Sequence, residues 1–403
     1  MQHRFTRLNV VNFRTLTDTE LPLGPLKVLV GPNAAGKSNV LKAFGCLSDI
    51  TREGIGPTLE TYDGYPEVAH RGGRRTKSEL TIGLEGVWTE HATDTHRDTY
   101  GLTLLERRAP GASDHQHILS RREQFVQHVA PAEVSTVELR RDKLLVDSPL
   151  REEVPTAPSF VRDRQVSGLQ TSAGLPTAGP SFDAIRMLGR HLSSVRIFDA
   201  DVRKARKPSP IGFSGRQLAD NAENLADFLL ELQKNTDAWE SLLDDVKYVV
   251  RDIEDIEIVP TAGKADRVTI MLKERGLRGR TQLADASFGT VRLLCLLALF
   301  HDPNPPILTC IEEIDHGLHP HALSLLCDRL REASARSQFL AISHSPVFAD
   351  YLEPEELVIC ERDETGASRI PAVSTEQIQA RVEASEGLPL GKLWFSGTLG
   401  GDL

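Results

Sequence analysis

A glycine-rich segment near the N-terminus constrains the fold of this chain more than any other feature. It reads Gly31-Pro-Asn-Ala-Ala-Gly36-Lys37-Ser38 and matches the pattern GxxxxGK[ST]. A short apolar run at 26–30 precedes it and predicts a buried strand, and the residues after it predict a helix over 37–47. Because a glycine-rich turn at a helix N-terminus points backbone N–H groups at an anion, the segment predicts a phosphate loop in an α/β fold.

Each residue type in this loop has a chemical reason to be there. The backbone N–H groups would surround a β-phosphate, Lys37 would reach the β/γ oxygens, and the hydroxyl of Ser38 would bind Mg²⁺. An ordinary glycine-rich turn with a surface lysine is the alternative reading. We predict nucleotide contacts from consecutive residues of this loop: Gly31, Pro32, Asn33, Ala34, Ala35, Gly36, Lys37, Ser38 and Asn39.

A second segment supplies the acidic groups that such a loop requires. Residues 306–313 read PILTCIEE, an apolar strand that ends in Glu312 and Glu313. Two carboxylates at the end of a buried strand are costly unless a cation lies beside them. We therefore expect Glu312 to bind Mg²⁺ and Glu313 to orient or deprotonate the attacking water. A solvated strand end is the alternative.

The remaining pattern predicts a discontinuous core with an inserted middle. Strands and helices alternate from residue 284 onward, which favours a parallel sheet. Short β-like stretches over 78–146 predict an antiparallel layer, and the Pro/Ser/Thr/Gly-rich stretch 151–181 predicts a loop. We predict a single α/β head over 1–403 with a mixed central sheet: a nucleotide-binding core from 1–50 and 280–403, a β layer and loops over 51–180, and an inserted helical lobe over 181–280.

Composition argues against several classes of protein. The chain has 403 residues and a net charge of −10, which argues against a generally basic nucleic-acid coat. No apolar run reaches the ~18 residues of a membrane span, so we expect a cytoplasmic protein with no membrane segment. The five cysteines are odd in number and lack CxxC spacing. They are expected to be buried apolar residues rather than disulfides or zinc ligands.

Both motifs resemble those of the ABC-type ATPases that include RecF, the SMC proteins and the OLD-like nucleases. The C-terminal sequence LPLGKLWFSGTLGGD is similar to the tail of small bacterial AAA-type ATPases of this group that lack a Toprim domain. The specific resemblance covers 1–50 and 280–403. Further segments match the family in order: LNVVNFRTL at 8–16 the opening strand, ASFGTVR at 286–292 the signature motif, GLHP at 317–320 the D-loop, and SHS at 343–345 the switch histidine.

The resemblance implies a mechanism shared between two copies of the chain. Ser287 and Gly289 of one copy would close the nucleotide site of the other, and His344 would contact the γ-phosphate. ATP would then hold a homodimer together, and hydrolysis would release it. An ordinary helix cap is the alternative for the signature segment. The implied ligands are ATP and Mg²⁺, with these assignments: Lys37, Glu313 and His344 as catalytic residues, and Ser38 and Glu312 as metal ligands.

Two positions depart from the usual family pattern. Glu312 stands where most ABC proteins have Asp, and its extra methylene shifts the metal ligand. Ala286 replaces the signature leucine and removes some packing. His316, His319 and His321 follow the acidic strand, and we assign them to the D-loop rather than to zinc because no further ligand set accompanies them.

The first role that the resemblance implies is an ATPase subunit that controls a separate effector, a nuclease or toxin, in bacterial anti-phage defence. OLD-type nucleases carry a Toprim domain after the ATPase, and we expect none in the short stretch that follows His344. A RecF-like repair clamp on duplex DNA is the alternative. A transporter ATPase subunit is disfavoured because the NFR opening and the segment EEIDHGLHP do not resemble transporter motifs.

Basic clusters bear on the choice between these roles. Solvated surface is their default explanation, but together they would form a face for DNA or a partner protein. Few aromatic residues accompany them, so base stacking on single strands is not indicated. The clusters lie at 71–77, 107–108, 121–122, 140–141 and 203–207.

Overall fold

The computed structural model describes most of the chain, and every structural statement below concerns these residues. They are 3–72, 77–108, 117–140, 143–150, 166–172, 179–212, 217–261, 263–385 and 387–400.

The strands, in chain order, are β1 (Arg4–Phe13), β2 (Leu16–Pro22), β3 (Leu26–Val30), β4 (Glu79–Val87), β5 (Asp98–Arg108), β6 (His117–Ala130), β7 (Glu133–Arg140), β8 (Lys143–Asp147), β9 (Arg196–Phe198), β10 (Ser209–Pro210), β11 (Ile253–Thr261), β12 (Lys264–Glu274), β13 (Arg280–Gln282), β14 (Leu308–Ile311), β15 (Gln338–Ile342), β16 (Leu357–Ile359), β17 (Glu361–Arg362) and β18 (Ser368–Arg369).

The helices are α1 (Lys37–Glu53), α2 (Ile55–Thr61), α3 (Tyr65–Val68), α4 (Gly168–Ser172), α5 (Pro180–Ser194), α6 (Val202–Ala205), α7 (Leu225–Leu232), α8 (Thr236–Val249), α9 (Phe288–Phe300), α10 (Pro320–Ser334), α11 (Pro346–Ala349), α12 (Thr375–Ala384) and α13 (Leu390–Phe395).

A five-stranded sheet carries the phosphate loop. Its strand order is β16-β3-β15-β14-β9, and each neighbouring pair is parallel. Strands β14 and β15 are buried along their whole length, as parallel strands covered on both faces should be. The α/β class is confirmed. One detail differs: this sheet is parallel rather than mixed, because the antiparallel strands of the N-terminus join a different sheet.

That second sheet has seven antiparallel strands in the order β2-β1-β4-β5-β6-β7-β8. The predicted strands of 78–146 are β4 to β8, and the opening hairpin β1-β2 extends them at one side. Strand β7 alternates between buried and partly exposed residues over 135–139, which is the period of a sheet packed on one face. The antiparallel layer is therefore larger than the sequence indicated, and it begins at the N-terminus.

The middle of the chain combines helices with a small sheet. Helices α5, α7 and α8 form where helical periodicity predicts them, and β11 and β12 pair antiparallel, with β10 and β13 beside β12. Residues 151–165 and 173–178 of the predicted loop lie outside the described residues. Strand β9 leaves this region and joins the parallel sheet beside β14.

The parallel sheet separates two apolar clusters. Val28 and Val30 of β3 face a cluster with α7, α8, α9 and α10, while Leu29 between them faces α1, α5 and the antiparallel layer. The five cysteines are buried and unpaired, as the sequence predicts. None of the helices in the described ranges combines the length and the apolar character that a membrane span requires.

Candidate functional site

The phosphate loop needs glycine at both of its ends. Gly36 has φ +98°, and a Cβ there would lie 2.1 Å from Ser368 Oγ and 2.9 Å from Thr15 Oγ1. A Cβ on Gly31 would lie 2.1 Å from the carbonyl oxygen of Cys360. Because neither position has room for a side chain, the backbone itself forms the wall of the loop, and its N–H groups remain available to an anion.

Lys37 lies inside this loop. Its Nζ donates hydrogen bonds to the carbonyl oxygens of Gly31 and Pro32, both at 2.8 Å, and the residue is 4% exposed. Burial lowers the pKa of Lys37, partly offset by neighbouring acidic groups. The two carbonyls hold the ammonium at the loop and leave one of its three N–H donors for a further acceptor.

Ser38 and Glu312 meet beside the lysine. The Oγ of Ser38 donates to Oε2 of Glu312 at 3.2 Å. Burial raises the pKa of Glu312, and Asp199 adds to this rise. A hydroxyl and a carboxylate oxygen this close together are a ligand pair suited to Mg²⁺, which prefers oxygen donors and favours ionisation of the carboxyl.

The same loop lines a cavity of about 310 Å³, together with Thr15, Glu313, His344 and Arg362. The structure thus brings the predicted phosphate loop, the predicted base and the predicted switch histidine to one space. Partial burial and the nearby ammonium of Lys37 lower the pKa of His344, which favours its neutral form. Its backbone N–H donates to Asp315 Oδ1 at 3.1 Å.

The signature residues lie elsewhere. Ser287 caps α9: its Oγ accepts from the backbone N–H of Thr290 at 3.1 Å, and Ser287 is exposed. Phe288 beside it is 44% exposed, although it begins an otherwise buried apolar helix. Neither Ser287 nor Gly289 lines the cavity at Lys37. The predicted site residues therefore form two groups, a cavity and an exposed surface.

Arg292 connects α9 to the acidic strand end and was not predicted as a site residue. It is 3% exposed. Its Nη2 donates to the carbonyl oxygens of Glu312 (2.9 Å) and Glu313 (3.0 Å), and its Nη1 donates to that of Ala200 (3.0 Å). The only sequence signal for this role is a single arginine that interrupts the apolar run of α9.

Thr15 and Arg362 also reach the cavity without having been predicted. Thr15 Oγ1 accepts from Asn39 Nδ2 at 2.8 Å and contacts Ser368 Oγ at 2.7 Å, so it links the loop helix to β18. Arg362 Nε donates to the carbonyl of Gly366 at 3.0 Å. Thr15 follows the NFR opening directly, whereas nothing in the sequence around Arg362 marks it.

The histidines of the D-loop have separate contacts. His316 Nδ1 lies 2.7 Å from Glu313 Oε2, and His319 Nδ1 caps α10 by accepting from the backbone N–H of His321. The ring of His321 stacks on Tyr248 at 5.2 Å between centroids.

The predicted basic clusters do not all lie on the surface of the molecule. Arg121 is 1% exposed and lies 3.3 Å from the Glu123 carboxylate, so its expectation as solvated surface or as part of a binding face is wrong. A cation that pairs with a buried carboxylate inside the antiparallel layer cannot reach a phosphate backbone. Arg203 and Lys207 are exposed. Residues 73–76 and Arg141 lie outside the described residues.

Two comparisons with known sequences found matches to this chain. A family model described as "AAA domain, putative AbiEii toxin, Type IV TA system" matches residues 26–350. An OLD nuclease of Thermus scotoductus is 46% identical over 56 residues, which is 14% of this chain and 10% of that nuclease. The match thus spans about a tenth of the relative's length.

Solved SMC heads share the fold. An SMC head bound to the C-winged helix domain of ScpA has a TM-score of 0.54 at 13% identity, covering 94% of this chain and 99% of that one. A head with coiled coil and joint from Pyrococcus yayanosii has a TM-score of 0.51 at 11% identity, covering 95% and 100%.

Proposed function

Because this chain belongs to the family described as "AAA domain, putative AbiEii toxin, Type IV TA system", we propose that it binds and hydrolyses ATP as a head-to-tail homodimer that controls a separate effector. It is an ATPase of the AAA/ABC type, related to the OLD and SMC proteins. The observation that carries the proposal is the division of the site into a cavity at Lys37 and an exposed surface at Ser287.

The chemistry within one protomer rests on five side chains. Lys37 stabilises charge that develops on the phosphate oxygens, and His344 donates a hydrogen bond to the γ-phosphate. Glu313 orients the attacking water and takes its proton. Ser38 and Glu312 would hold Mg²⁺, which supplies neutralisation of the phosphate charge. Arg292 holds the backbone carbonyls of both glutamates and so fixes where their side chains begin.

The second copy completes the site. A triphosphate in the cavity is held by the loop on one side only, and Ser287 with the N-terminal N–H groups of α9 is a second anion site on an exposed surface. Because the surface of one protomer can cover the cavity of its partner, and the reverse, two sites form under two-fold symmetry. ATP bound between protomers stabilises the dimer by mass action.

Control of a separate effector is supported by the toxin–antitoxin description of the family. For the alternative, a clamp on duplex DNA, the exposed Arg203 and Lys207 are available, whereas Arg121 is buried. Duplex binding that requires ATP and weakens steeply with salt would favour the clamp over effector control.

The first test is the solution mass of Glu313→Gln, measured by light scattering with and without ATP–Mg²⁺. We expect the amide to bind ATP without removing the proton, so that ATP increases the mass by a factor of two. Lys37→Ala in the same background is the matched control and should not respond. ATP that is demonstrably bound without a change in mass would contradict the shared site.

A further inference from the structure

Glu313 is held by a histidine three residues later. His316 Nδ1 lies 2.7 Å from Glu313 Oε2, and the backbone N–H of His316 donates to the carbonyl of Glu313 at 3.0 Å. Glu313 itself has φ +46°, a left-handed conformation that a side-chain residue adopts only when its surroundings impose it. An ionised carboxylate can only accept, so Nδ1 carries the proton and donates it.

The ring of His316 in turn packs against the signature surface, which is the exposed start of α9 at Ser287 and Phe288. Phe288 lies 5.6 Å from it between ring centroids. The next residue, Gly317, has φ +71°, and a Cβ there would lie 2.4 Å from Phe288 Cε1. Phe288 therefore rests directly on the turn that carries His316.

Helix α9 thus touches the acidic turn, residues 312–317, at two levels. Arg292 holds the carbonyl oxygens of Glu312 and Glu313 from within the core. Phe288, one helical turn earlier, packs on His316 and Gly317 at the surface. A displacement of the N-terminus of α9 would change the contact between Phe288 and the ring of His316, because packed elements transmit small shifts.

We propose that His316 is a positioning residue for Glu313, and that Phe288 transmits to it the docking of a second copy on the signature surface. The inference rests on the proposed function, in which Glu313 takes the proton from water. In the described residues the hydrogen bond to the Glu313 side chain comes from His316, while His344 lies across the same cavity. The two histidines then have different roles: His344 contacts the γ-phosphate, and His316 orients the carboxylate of Glu313.

The test is steady-state ATP hydrolysis by His316→Ala and His316→Asn. Loss of a hydrogen bond to a charged group should lower kcat on the order of ten-fold in His316→Ala, with KM and ATP affinity within about two-fold. Asparagine keeps an N–H donor, and His316→Asn should regain most of kcat. Lys234→Ala, at an exposed lysine outside the acidic turn and α9, is the control and should match the unmodified chain.

A double-mutant cycle tests the role of Phe288. Phe288→Ala should lower kcat by about three-fold, and the double variant with His316→Ala should be no slower than His316→Ala alone, because both act through one contact. Additive effects would overturn the transmission from Phe288.

Other outcomes are equally informative. An unchanged kcat in His316→Ala, or equal impairment of the Ala and Asn variants at unchanged ATP affinity, would overturn the positioning role. Glu313→Gln, measured in parallel, distinguishes failure of the positioning role from failure of the proposed function. If this variant hydrolyses ATP at the normal rate, the proposed function itself is wrong.

Discussion

The phosphate-loop cavity and the signature surface are built in opposite ways, although both are expected to address the same phosphates. In the cavity, glycines without room for a Cβ bring the backbone close, and the lysine is buried. At the signature surface, Ser287 and Phe288 are exposed at the end of a buried helix. The cavity is formed within one protomer, whereas the signature surface exposes its side chains to a partner molecule. The contrast favours a site that two copies share.

The largest expected effect tests the cavity. Lys37→Ala removes the buried ammonium, and a buried charged contact of this kind is worth about 3 kcal/mol, on the order of 100-fold in ATP affinity. Isothermal titration of ATP–Mg²⁺ measures it. Lys234→Ala, at an exposed lysine paired with Glu231, is the control. Equal affinity of Lys37→Ala and the unmodified chain would remove the lysine from the site.

The next effect tests the surface. Ser287→Arg should leave ATP affinity unchanged but lower turnover by about thirty-fold, because a bulky cation blocks the approach of a second cavity. Mixing it with Lys37→Ala should restore about a quarter of the normal turnover, since half of the dimers are mixed and each has one intact composite site. Two inactive proteins that stay inactive when mixed would argue that each site lies within one protomer.

The free energy of unfolding of two glycine variants, one in the phosphate loop and one at the signature surface, tests how tightly each region is packed. Gly36→Ala places a side chain at φ +98° against Ser368 and Thr15, and should lower the free energy of unfolding by about 2 kcal/mol. Gly289→Ala meets a single atom, the carbonyl oxygen of Gly317 at 2.9 Å, and should cost about 1 kcal/mol or less. Urea unfolding of both proteins measures the difference. The reverse order would mean that the signature surface, not the loop, is the tightly built half.

A further effect on stability concerns the side chains that pack behind α9. Asp245 on α8 accepts from His301 and Arg329, and these hydrogen bonds outweigh burial and hold the pKa of Asp245 below its ordinary value. A depressed pKa gives stability that is present above the unfolded-state pKa and is lost as pH falls through the folded-state pKa. Asp245→Asn should therefore destabilise the protein near neutral pH, by about 1–2 kcal/mol.

That difference should shrink in acid as the carboxylate of the unmodified chain takes up its proton. Urea midpoints from neutral pH down into the acid range measure it. Asp328→Asn, at an exposed carboxylate, is the control. A difference that grows in acid would show that the carboxylate is not the source of the stability.

Local motifs account for what the sequence predicts well. The strand, loop and helix around Lys37, and the carboxylates that follow β14, are each contiguous, so their geometry follows from a few neighbouring residues. The proximity of Ser38 to Glu312 follows because parallel strands end at one edge.

Residues that approach from distant segments escaped prediction. Thr15, Arg362 and Arg292 reach the site through tertiary packing, and no periodicity marks them. Strand β9 is three residues long, too short for a pattern to distinguish it. For Arg121 the prediction itself was wrong. Its charge predicts an exposed side chain, and the sequence does not reveal that the buried carboxylate of Glu123 lies beside it.

The order of the parallel sheet has a consequence for how the molecule folds. Strand β3 pairs on both sides with strands from the last third of the chain, β15 and β16, and β14 pairs with β9 from the middle. Such distant pairings give a high contact order and slow folding, because long loops must close before their contacts form. During synthesis the phosphate loop must wait for β15 to emerge, so the antiparallel layer has time to form first.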